Sequence, residues 1–197
     1  MNATAAVLNQ PNGPFDIEQV TVNAPRPGEV RVAIKAVGIC HTDLVVASGA
    51  MGLQFPAVLG HEGAGVVEAV GDGVTTVAPG DKVLLTFNSC GSCKPCGKGE
   101  PAYCQLFVPL NMVAARGDGS SRVHRGDTQV SDNFFGQSSF ATLCIANERN
   151  VLKLDADADL AVLAPLGCGI QTGAGAVLRS LQAEAGESLV VLGGGAV

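Results

Sequence analysis

The segment GHEGAGVVEAVGDGV, residues 60–74, carries a histidine and a glutamate in a glycine-bounded turn that leads into an apolar run. The run GVVEAV contains β-branched residues and ends at glycines, which predicts a short β-strand. A second segment, GICHTD at residues 38–43, places Cys40 and His41 where another strand-like run meets a turn. Cysteine and histidine are typical zinc ligands. The two segments therefore predict a β-rich fold with candidate metal ligands where its strands meet turns.

Short strand-like runs, broken by glycine and proline, make up most of the chain before residue 155. In EVRVAIKA, Val30, Val32 and Ile34 alternate with polar or small residues, which is the period of a half-buried strand. The predicted strands are residues 5–8, 15–22, 29–39, 65–70, 81–87, 140–146 and 150–154. Residues 105–137 follow neither a helical nor a strand period, so they are expected to form a long loop with little regular structure.

The pattern changes after residue 155. Residues 155–183 begin with acidic side chains and continue with an apolar stripe, which predicts a helix interrupted near Pro165 and Gly167. Residues 188–197, SLVVLGGGAV, predict a strand that runs into glycines. Gly193 and Gly195 fill the first two positions of the dinucleotide-binding pattern GxGxxG. A glycine-rich turn after a strand is the simpler interpretation of these two glycines alone.

Residues 88–104, NSCGSCKPCGKGEPAYC, gather four of the seven cysteines into one loop. Four thiolates this close can surround one tetrahedral zinc ion, and such a site leaves no position for a substrate. The loop therefore predicts a structural zinc site at Cys90, Cys93, Cys96 and Cys104. A reduced or disulfide-paired cluster and an iron–sulfur site are the alternatives. The bacterial ferredoxin pattern has proline after its fourth cysteine, where this chain has Gln105.

Charge and composition exclude some classes of partner. The net charge is −6 and no basic run is present, so a nucleic-acid partner is not expected. The N-terminus lacks the basic and apolar regions of a signal peptide, and residues 161–178 contain too many glycines for a membrane span. We therefore expect a cytoplasmic protein without a membrane partner, whose cysteines stay reduced and available to metals.

Cys40, His61 and Cys168 form a second candidate metal site. A catalytic zinc has about three protein ligands and one open position, and these three residues can provide that set if the fold brings them together. Taken singly, either cysteine is interpreted as a core residue and the histidine as a turn residue. Cys144, inside FATLCIA, is predicted to be a buried core residue.

These segments resemble the zinc-containing medium-chain alcohol dehydrogenases. Residues 60–74 match the signature GHExxGxxxxxGxxV, and the cysteine loop has the spacing of that family's structural zinc lobe. CHTDL, FNSCGSC, FFGQSSFAT, ERN and PLGCGIQTGAG resemble more narrowly the aryl-alcohol (benzyl alcohol) dehydrogenases. The resemblance covers the whole chain in order.

The resemblance implies a mostly β catalytic domain of the chaperonin-10-like type over residues 1–155, with the zinc lobe at about residues 88–105. The start of an α/β Rossmann domain would follow over residues 156–197. Two zinc ions and NAD are the implied cofactors, and the implied reaction is hydride transfer between a primary, aromatic alcohol and NAD. The family's chains continue further, so we expect an N-terminal fragment without activity of its own, and a homo-oligomer at full length.

The same resemblance assigns roles to individual residues. Cys40, His61 and Cys168 would hold the catalytic zinc, with Glu62 as a nearby acid and Asp43 as the carboxylate that orients His61. The other implied roles are a proton acceptor at Thr42, a pyrophosphate contact at His41, a nicotinamide neighbour at Thr172, cofactor-binding glycines at Gly193 and Gly195, and a substrate pocket at Phe87, Phe134 and Phe135.

Several alternatives remain open. Thr42 and Asp43 can also cap a helix that starts at HTDLVVAS, and the three phenylalanines can be core residues. Val45 stands where some relatives end a proton relay with histidine, which makes His41 a hypothesis for the last base. The rival functions are an inactive zinc-binding fragment, a dehydrogenase of another alcohol class, and a zinc-ribbon module that leaves Cys40, GHE and GCG unexplained.

Overall fold

The computed structural model describes residues 1–113 and 115–197, and two antiparallel sheets dominate it. The strands in this part of the chain are β1 (Asn2–Leu8), β2 (Phe15–Val22), β3 (Glu29–Val37), β4 (Ala57–Val58), β5 (Gly63–Val70), β6 (Lys82–Leu85), β7 (Val123–Arg125), β8 (Thr128–Val130), β9 (Leu143–Asn147) and β10 (Val151–Lys153). The helices are α1 (His41–Ala47), α2 (Lys94–Gly97), α3 (Phe107–Asn111), α4 (Leu160–Leu163) and α5 (Gly169–Gly175).

The two sheets have the strand orders β4-β1-β2-β7-β8 and β10-β6-β5-β3-β9. One apolar cluster lies against the first sheet and also takes Leu143 and Ile145 from β9. A second cluster, which includes Val30 and Val32, consists mainly of side chains from the strands of the second sheet. The expectation of a mostly β fold is confirmed, and the seven strands predicted before residue 155 are present as β1, β2, β3, β5, β6, β9 and β10. Strands β4, β7 and β8 were not predicted, because two or three residues are too few to show a period.

The pairing of β3 with β5 places the two segments of interest side by side. The register joins Val37 to Gly63, and the N–H of Gly38 donates to the carbonyl of Glu62 at 3.0 Å. Cys40 follows the end of β3 and His61 precedes the start of β5, so an antiparallel pair brings both to one end of the sheet. Gly65 allows this close approach, because a Cβ there would overlap the carbonyl oxygen of Ala33.

Helix α1 begins immediately after Cys40 and packs its buried face on a third apolar cluster. Val46 and Ala47 contact this cluster, which also contains Leu59 and Phe134. Asp43 lies in the first turn and its Oδ2 accepts a hydrogen bond from the N–H of Cys40 at 3.0 Å, as in a capping box. Asp43 therefore caps α1, which was one of the two roles expected for this residue.

Two regions differ from the expectations. Residues 105–137 contain α3 and the hairpin β7–β8, because β7 extends the first sheet by pairing Thr21 with His124 and Val22 with Val123. Strands of three residues are too short to show a period in sequence. Residues 188–197, predicted as a strand, form no strand in the described part of the chain, since they pair with no neighbouring strand.

The helical region after residue 155 is interrupted as predicted. Helix α4 passes into a 3-10 turn at Ala164–Gly167, and α5 continues into a wider turn at Ala176–Leu181. No single helix in the described residues is long and apolar enough to cross a membrane; the bent pair Leu160–Gly167 and Gly169–Leu181, with 58° between its halves, meets only the criteria of length and composition.

Candidate metal centres

The first centre brings together Cys40, His61, Glu62 and Cys168. One ligand atom from each residue lies within 4.8 Å of the others. Cys40 comes from the start of α1, His61 and Glu62 from the turn before β5, and Cys168 from the residue before α5. The expected set of Cys40, His61 and Cys168 is thus brought together by the fold, with the expected acid beside it.

Asp43 orients the ring of His61 through a contact with Nδ1. His61 is 1% exposed, and its Nδ1 lies 3.0 Å from Oδ1 of Asp43. The same Oδ1 accepts from the N–H of Gly60 at 3.1 Å. The Nε2 of His61 is buried and has no hydrogen-bond partner among the described residues. A buried nitrogen that faces two cysteine sulfurs fits a metal ion, because a buried polar atom otherwise needs a partner.

The groups around Cys40 and His61 favour the charged forms of both side chains. Burial opposes charge, but Thr42 and His61 lower the pKa of the Cys40 thiol. Burial likewise opposes the charge of His61, but Asp43 and Cys168 outweigh it and raise the pKa of His61 to about 10. In the metal-free protein a protonated imidazole therefore offsets the surrounding negative charge, a role that a divalent cation would take over.

Glu62 occupies a site that only a glycine neighbour permits. Its Oε1 accepts a hydrogen bond from the N–H of Gly169 at 2.9 Å, and it is 4% exposed. A Cβ at Gly38 would overlap its Oε2. The carboxylate is therefore held between the β3 end and the start of α5, next to Cys168.

The other residues with implied roles lie at different distances from the cluster. The Oγ1 of Thr42 lies 3.6 Å from the Sγ of Cys40. His41 and Thr172 are exposed, and the Oγ1 of Thr172 donates to the carbonyl of Cys168 at 2.9 Å. Gly193 and Gly195 are exposed in the C-terminal segment, where Gly193 has φ of +99°. The structure thus places Thr42 beside Cys40 and Thr172 beside Cys168. The segment that carries the two glycines lies against α5, with Ala196 close to Gly169.

Three phenylalanines surround the cluster in different ways. Phe135 stacks on the His61 ring with centroids 4.5 Å apart, and Phe134 meets it edge-on at 5.3 Å. A cleft of about 970 Å³ opens beside them and is lined by Phe87, Phe135, Cys168 and Thr172, among others. Phe134 is 1% exposed and supports His61 from the core without lining this cleft.

The second centre is the cysteine loop. The Sγ atoms of Cys90 and Cys96 lie 4.0 Å apart, as do those of Cys93 and Cys104. Zinc–sulfur bonds of about 2.3 Å place the corners of a tetrahedron about 3.8 Å apart, so the four sulfurs fit one zinc ion. The fold brings the four expected cysteines together, and the zinc ion that they would hold stays a prediction.

Backbone N–H groups prepare the loop for thiolates. The N–H of Cys93 donates to the Sγ of Cys90 at 3.3 Å, and that of Leu106 donates to Cys104 at 3.4 Å. The N–H groups of Ser92 and Cys93 lower the pKa of Cys90 to about 6. Burial and the neighbouring Cys93 raise the pKa of Cys96 to about 11. The loop accommodates some negative charge unaided, and a cation is needed to ionise all four thiols.

Residues 26–156 match the family described as alcohol dehydrogenase GroES-like domain. The chain belongs to the zinc-type medium-chain alcohol dehydrogenases. It is 49% identical to geraniol dehydrogenase of Castellaniella defragrans over 198 residues, which cover 100% of the chain and 53% of that relative.

Two solved structures resemble this alcohol dehydrogenase family member in fold. An alcohol dehydrogenase zinc-binding domain protein from Burkholderia ambifaria matches with a TM-score of 0.90 and 49% identity, over 92% of the chain and 50% of that protein. Benzyl alcohol dehydrogenase from Acinetobacter calcoaceticus matches with a TM-score of 0.88 and 41% identity, over 92% of the chain and 49% of that protein. The chain therefore spans about half the length of these relatives.

Part of the cleft was not predicted from the sequence. Phe107 and the turn Pro101–Tyr103 also line the cleft, and Phe107 packs against Phe87 with centroids 5.7 Å apart. Pro101–Tyr103 lie just before residues 105–137, which show no periodicity, and Phe107 lies inside them. The aromatic side chain of Phe107, three residues after Cys104, was the one signal available in the sequence.

Proposed function

We propose that this chain carries the metal and substrate sites of an NAD-dependent dehydrogenase for primary alcohols whose carbinol carbon is attached to an aromatic ring or a double bond. The observation that carries the proposal is the bare Nε2 of His61, which faces Cys40 and Cys168 where the phenylalanine-lined cleft opens. The named relatives, a geraniol dehydrogenase and a benzyl alcohol dehydrogenase, support this substrate class.

The ligand set supports a catalytic zinc at the first centre. Cys40, His61 and Cys168 would hold the ion, and three protein ligands leave a fourth position open. When bound, zinc acts as a Lewis acid that lowers the pKa of an alcohol hydroxyl. Asp43 keeps the His61 ring oriented through Nδ1 and thereby keeps Nε2 available as a ligand atom. The four loop cysteines would hold a second, structural zinc.

The chain's own residues account for proton transfer and substrate orientation. Oxidation of the alcohol removes one proton from oxygen and one hydride from carbon, and the hydride passes to the nicotinamide of NAD. The Thr42 hydroxyl, which lies beside Cys40, would take the proton, and exposed His41, one residue away, would pass it outward. Phe87 and Phe135 present apolar faces on which a flat aromatic or allylic group can pack.

The test of the metal assignment is elemental analysis of the purified chain and two variants. We expect two zinc ions per chain in the wild type, and about one in Cys168→Ser and in Cys93→Ser. The two single variants should lose different ions, so the double variant should hold almost none. One zinc in the wild type that Cys168→Ser leaves unchanged would remove the catalytic site and, with it, the proposed dehydrogenase function.

The substrate class is tested in the complete protein with NAD. Benzyl alcohol and geraniol should be oxidised with kcat/KM at least about tenfold above that of ethanol, since an apolar pocket gains about 1–3 kcal/mol from each well-packed group. Cyclohexylmethanol is the matched control, because it has the size of benzyl alcohol without its flat ring. Equal values for ethanol and benzyl alcohol would contradict the substrate class while leaving the metal assignment intact.

A further inference from the structure

A buried glutamine touches the backbone on both sides of Glu62. Gln137 is 1% exposed; its Oε1 accepts from the N–H of Gly63 at 3.1 Å, and its Nε2 donates to the carbonyl of His61 at 2.9 Å. The side-chain amide of Gln137 therefore binds both peptide groups that flank Glu62. Neither group is free to rotate without breaking a buried hydrogen bond, which costs about 1–3 kcal/mol.

The same amide reaches toward the third ligand. The Nε2 of Gln137 also lies 3.3 Å from the carbonyl of Thr86, and the Oγ1 of Thr86 donates to the carbonyl of Gly167 at 3.0 Å. Gly167 directly precedes Cys168. A continuous set of hydrogen bonds thus runs from the His61 backbone through Gln137 and Thr86 to the residue before Cys168.

The turn that carries Gln137 also holds the His61 ring. Phe135, Gly136 and Ser138 have φ of +50°, +71° and +52°, so the backbone turns sharply through the left-handed region. This conformation costs about 1–3 kcal/mol at each residue that is not glycine, and it persists only where the surroundings impose it. Here the turn presents Phe135 to the face of His61 and Gln137 to the backbone of His61.

Asn150 offers an internal comparison. It is also buried, and its Nδ2 donates to the carbonyls of Thr86 and Gly136, both at 3.2 Å. It shares the Thr86 carbonyl and the turn with Gln137. Its hydrogen bonds do not include the segment from His61 to Gly63, so loss of Asn150 loosens the same core without releasing the ligand backbone.

We propose that Gln137 is a positioning residue that sets the geometry of the catalytic metal centre by fixing the backbone at His61 and, through Thr86, at Cys168. This inference rests on the proposed zinc site. The turn of residues 134–138 then holds His61 in two ways. Phe135 contacts its ring, and Gln137 binds its main chain.

The experiment follows zinc release from the purified chain to a chromogenic chelator. In the wild type we expect two phases, and the phase that Cys168→Ser removes belongs to the catalytic centre. Gln137→Met keeps the length of the side chain without its hydrogen bonds, and it should speed that phase about 10- to 100-fold, as is typical when a group that orients a ligand is removed. The phase of the cysteine loop should not change.

Two further variants separate positioning from general loss of stability. Asn150→Leu should lower the thermal midpoint as much as Gln137→Met and leave the Cys168-dependent phase within about twofold of the wild type. Gln137→Glu retains an acceptor for Gly63 and serves if Gln137→Met does not fold; it should speed the same phase.

The outcomes are distinguishable. A wild type without a Cys168-dependent phase would overturn the proposed function and this inference together. A Cys168-dependent phase that is equally fast in the wild type and in both Gln137 variants would overturn the inference alone. Equal acceleration in Asn150→Leu would also overturn it, since the effect would then come from a loosened core.

Discussion

Phe135 lies face to face on the imidazole of His61, with 4.5 Å between the ring centroids and 23° between the ring planes. The contact joins the cleft to the metal centre, because Phe135 lines the first and covers a ligand of the second. The aromatic ring that lines the cleft therefore also supports the histidine.

Replacement of Phe135 should affect stability and substrate binding together. We expect Phe135→Leu to lower the free energy of unfolding by about 1–2 kcal/mol, since it loses a stacked ring contact and buried area. In the complete protein, KM for benzyl alcohol should rise more than kcat falls. Denaturant unfolding and steady-state kinetics measure the two effects. Phe15→Leu, which loses an edge contact with Phe140, is the control and should change stability without changing KM.

The carboxylate of Asp43 should control the protonation of His61 in the metal-free protein. The pKa of His61, raised to about 10, keeps the ring protonated at pH 8, and the stability that this protonation contributes is complete below about pH 6.5 and is lost as the pH rises from 6.5 through 10. Asp43→Asn should lower this pKa, because it removes the charge that faces Nδ1. Histidine ring signals followed by NMR between pH 6 and 10 would show it. An unaltered titration in the variant would contradict the role of Asp43.

Gly65 should tolerate no side chain. A Cβ there would overlap the Ala33 carbonyl oxygen across the β3–β5 pair, so Gly65→Ala should lower the free energy of unfolding by about 1–3 kcal/mol. The matched control is Gly97→Ala at the end of α2, where a Cβ has no heavy atom within 4 Å. That variant should be neutral or slightly more stable. Denaturant unfolding of both variants checks the prediction, and equal stability of the two would contradict it.

Glu29 should make the fold sensitive to acid. It is 6% exposed, and Arg116 donates to both its oxygens at 2.7 and 2.8 Å. Burial would raise the pKa of Glu29, but Arg116, the Arg26 N–H and Arg122 outweigh it and lower the pKa to about 2. Its stabilisation is therefore complete above pH 4.5 and is lost as the pH falls from 4.5 toward 2.

Glu29→Gln measures that contribution. We expect the variant to be about 3 kcal/mol less stable at pH 7, with a difference from the wild type that narrows between pH 5 and 3. Glu18→Gln, at the more exposed pair with Arg125, is the control and should cost about 1 kcal/mol or less. Parallel unfolding curves for Glu29→Gln and the wild type across this pH range would contradict the prediction.

Most strands and the candidate metal ligands could be predicted from the sequence, whereas the turn of residues 134–138 could not. Alternation in β3 and the glycines around His61 are local signals, and so is the spacing of the loop cysteines. The turn of residues 134–138 has no such signal, because Phe135 and Ser138 adopt left-handed backbone that favours glycine. Its contacts with His61 come from long-range packing, and so do those of Gln137. The hairpin β7–β8 was missed for the same reason, since its pairing with β2 creates it.

The two candidate centres differ in how far apart their ligands lie along the chain. The cysteine loop needs only residues 90–104, whereas the other centre needs residues from Cys40 to Cys168. Closing a short loop costs less chain entropy than closing a long one, and the second set forms only after β3 has paired with β5 and α5 has docked. We therefore expect the loop to capture its ion early, while much of the chain is still unfolded. Occupancy of the second centre would then report that folding is complete.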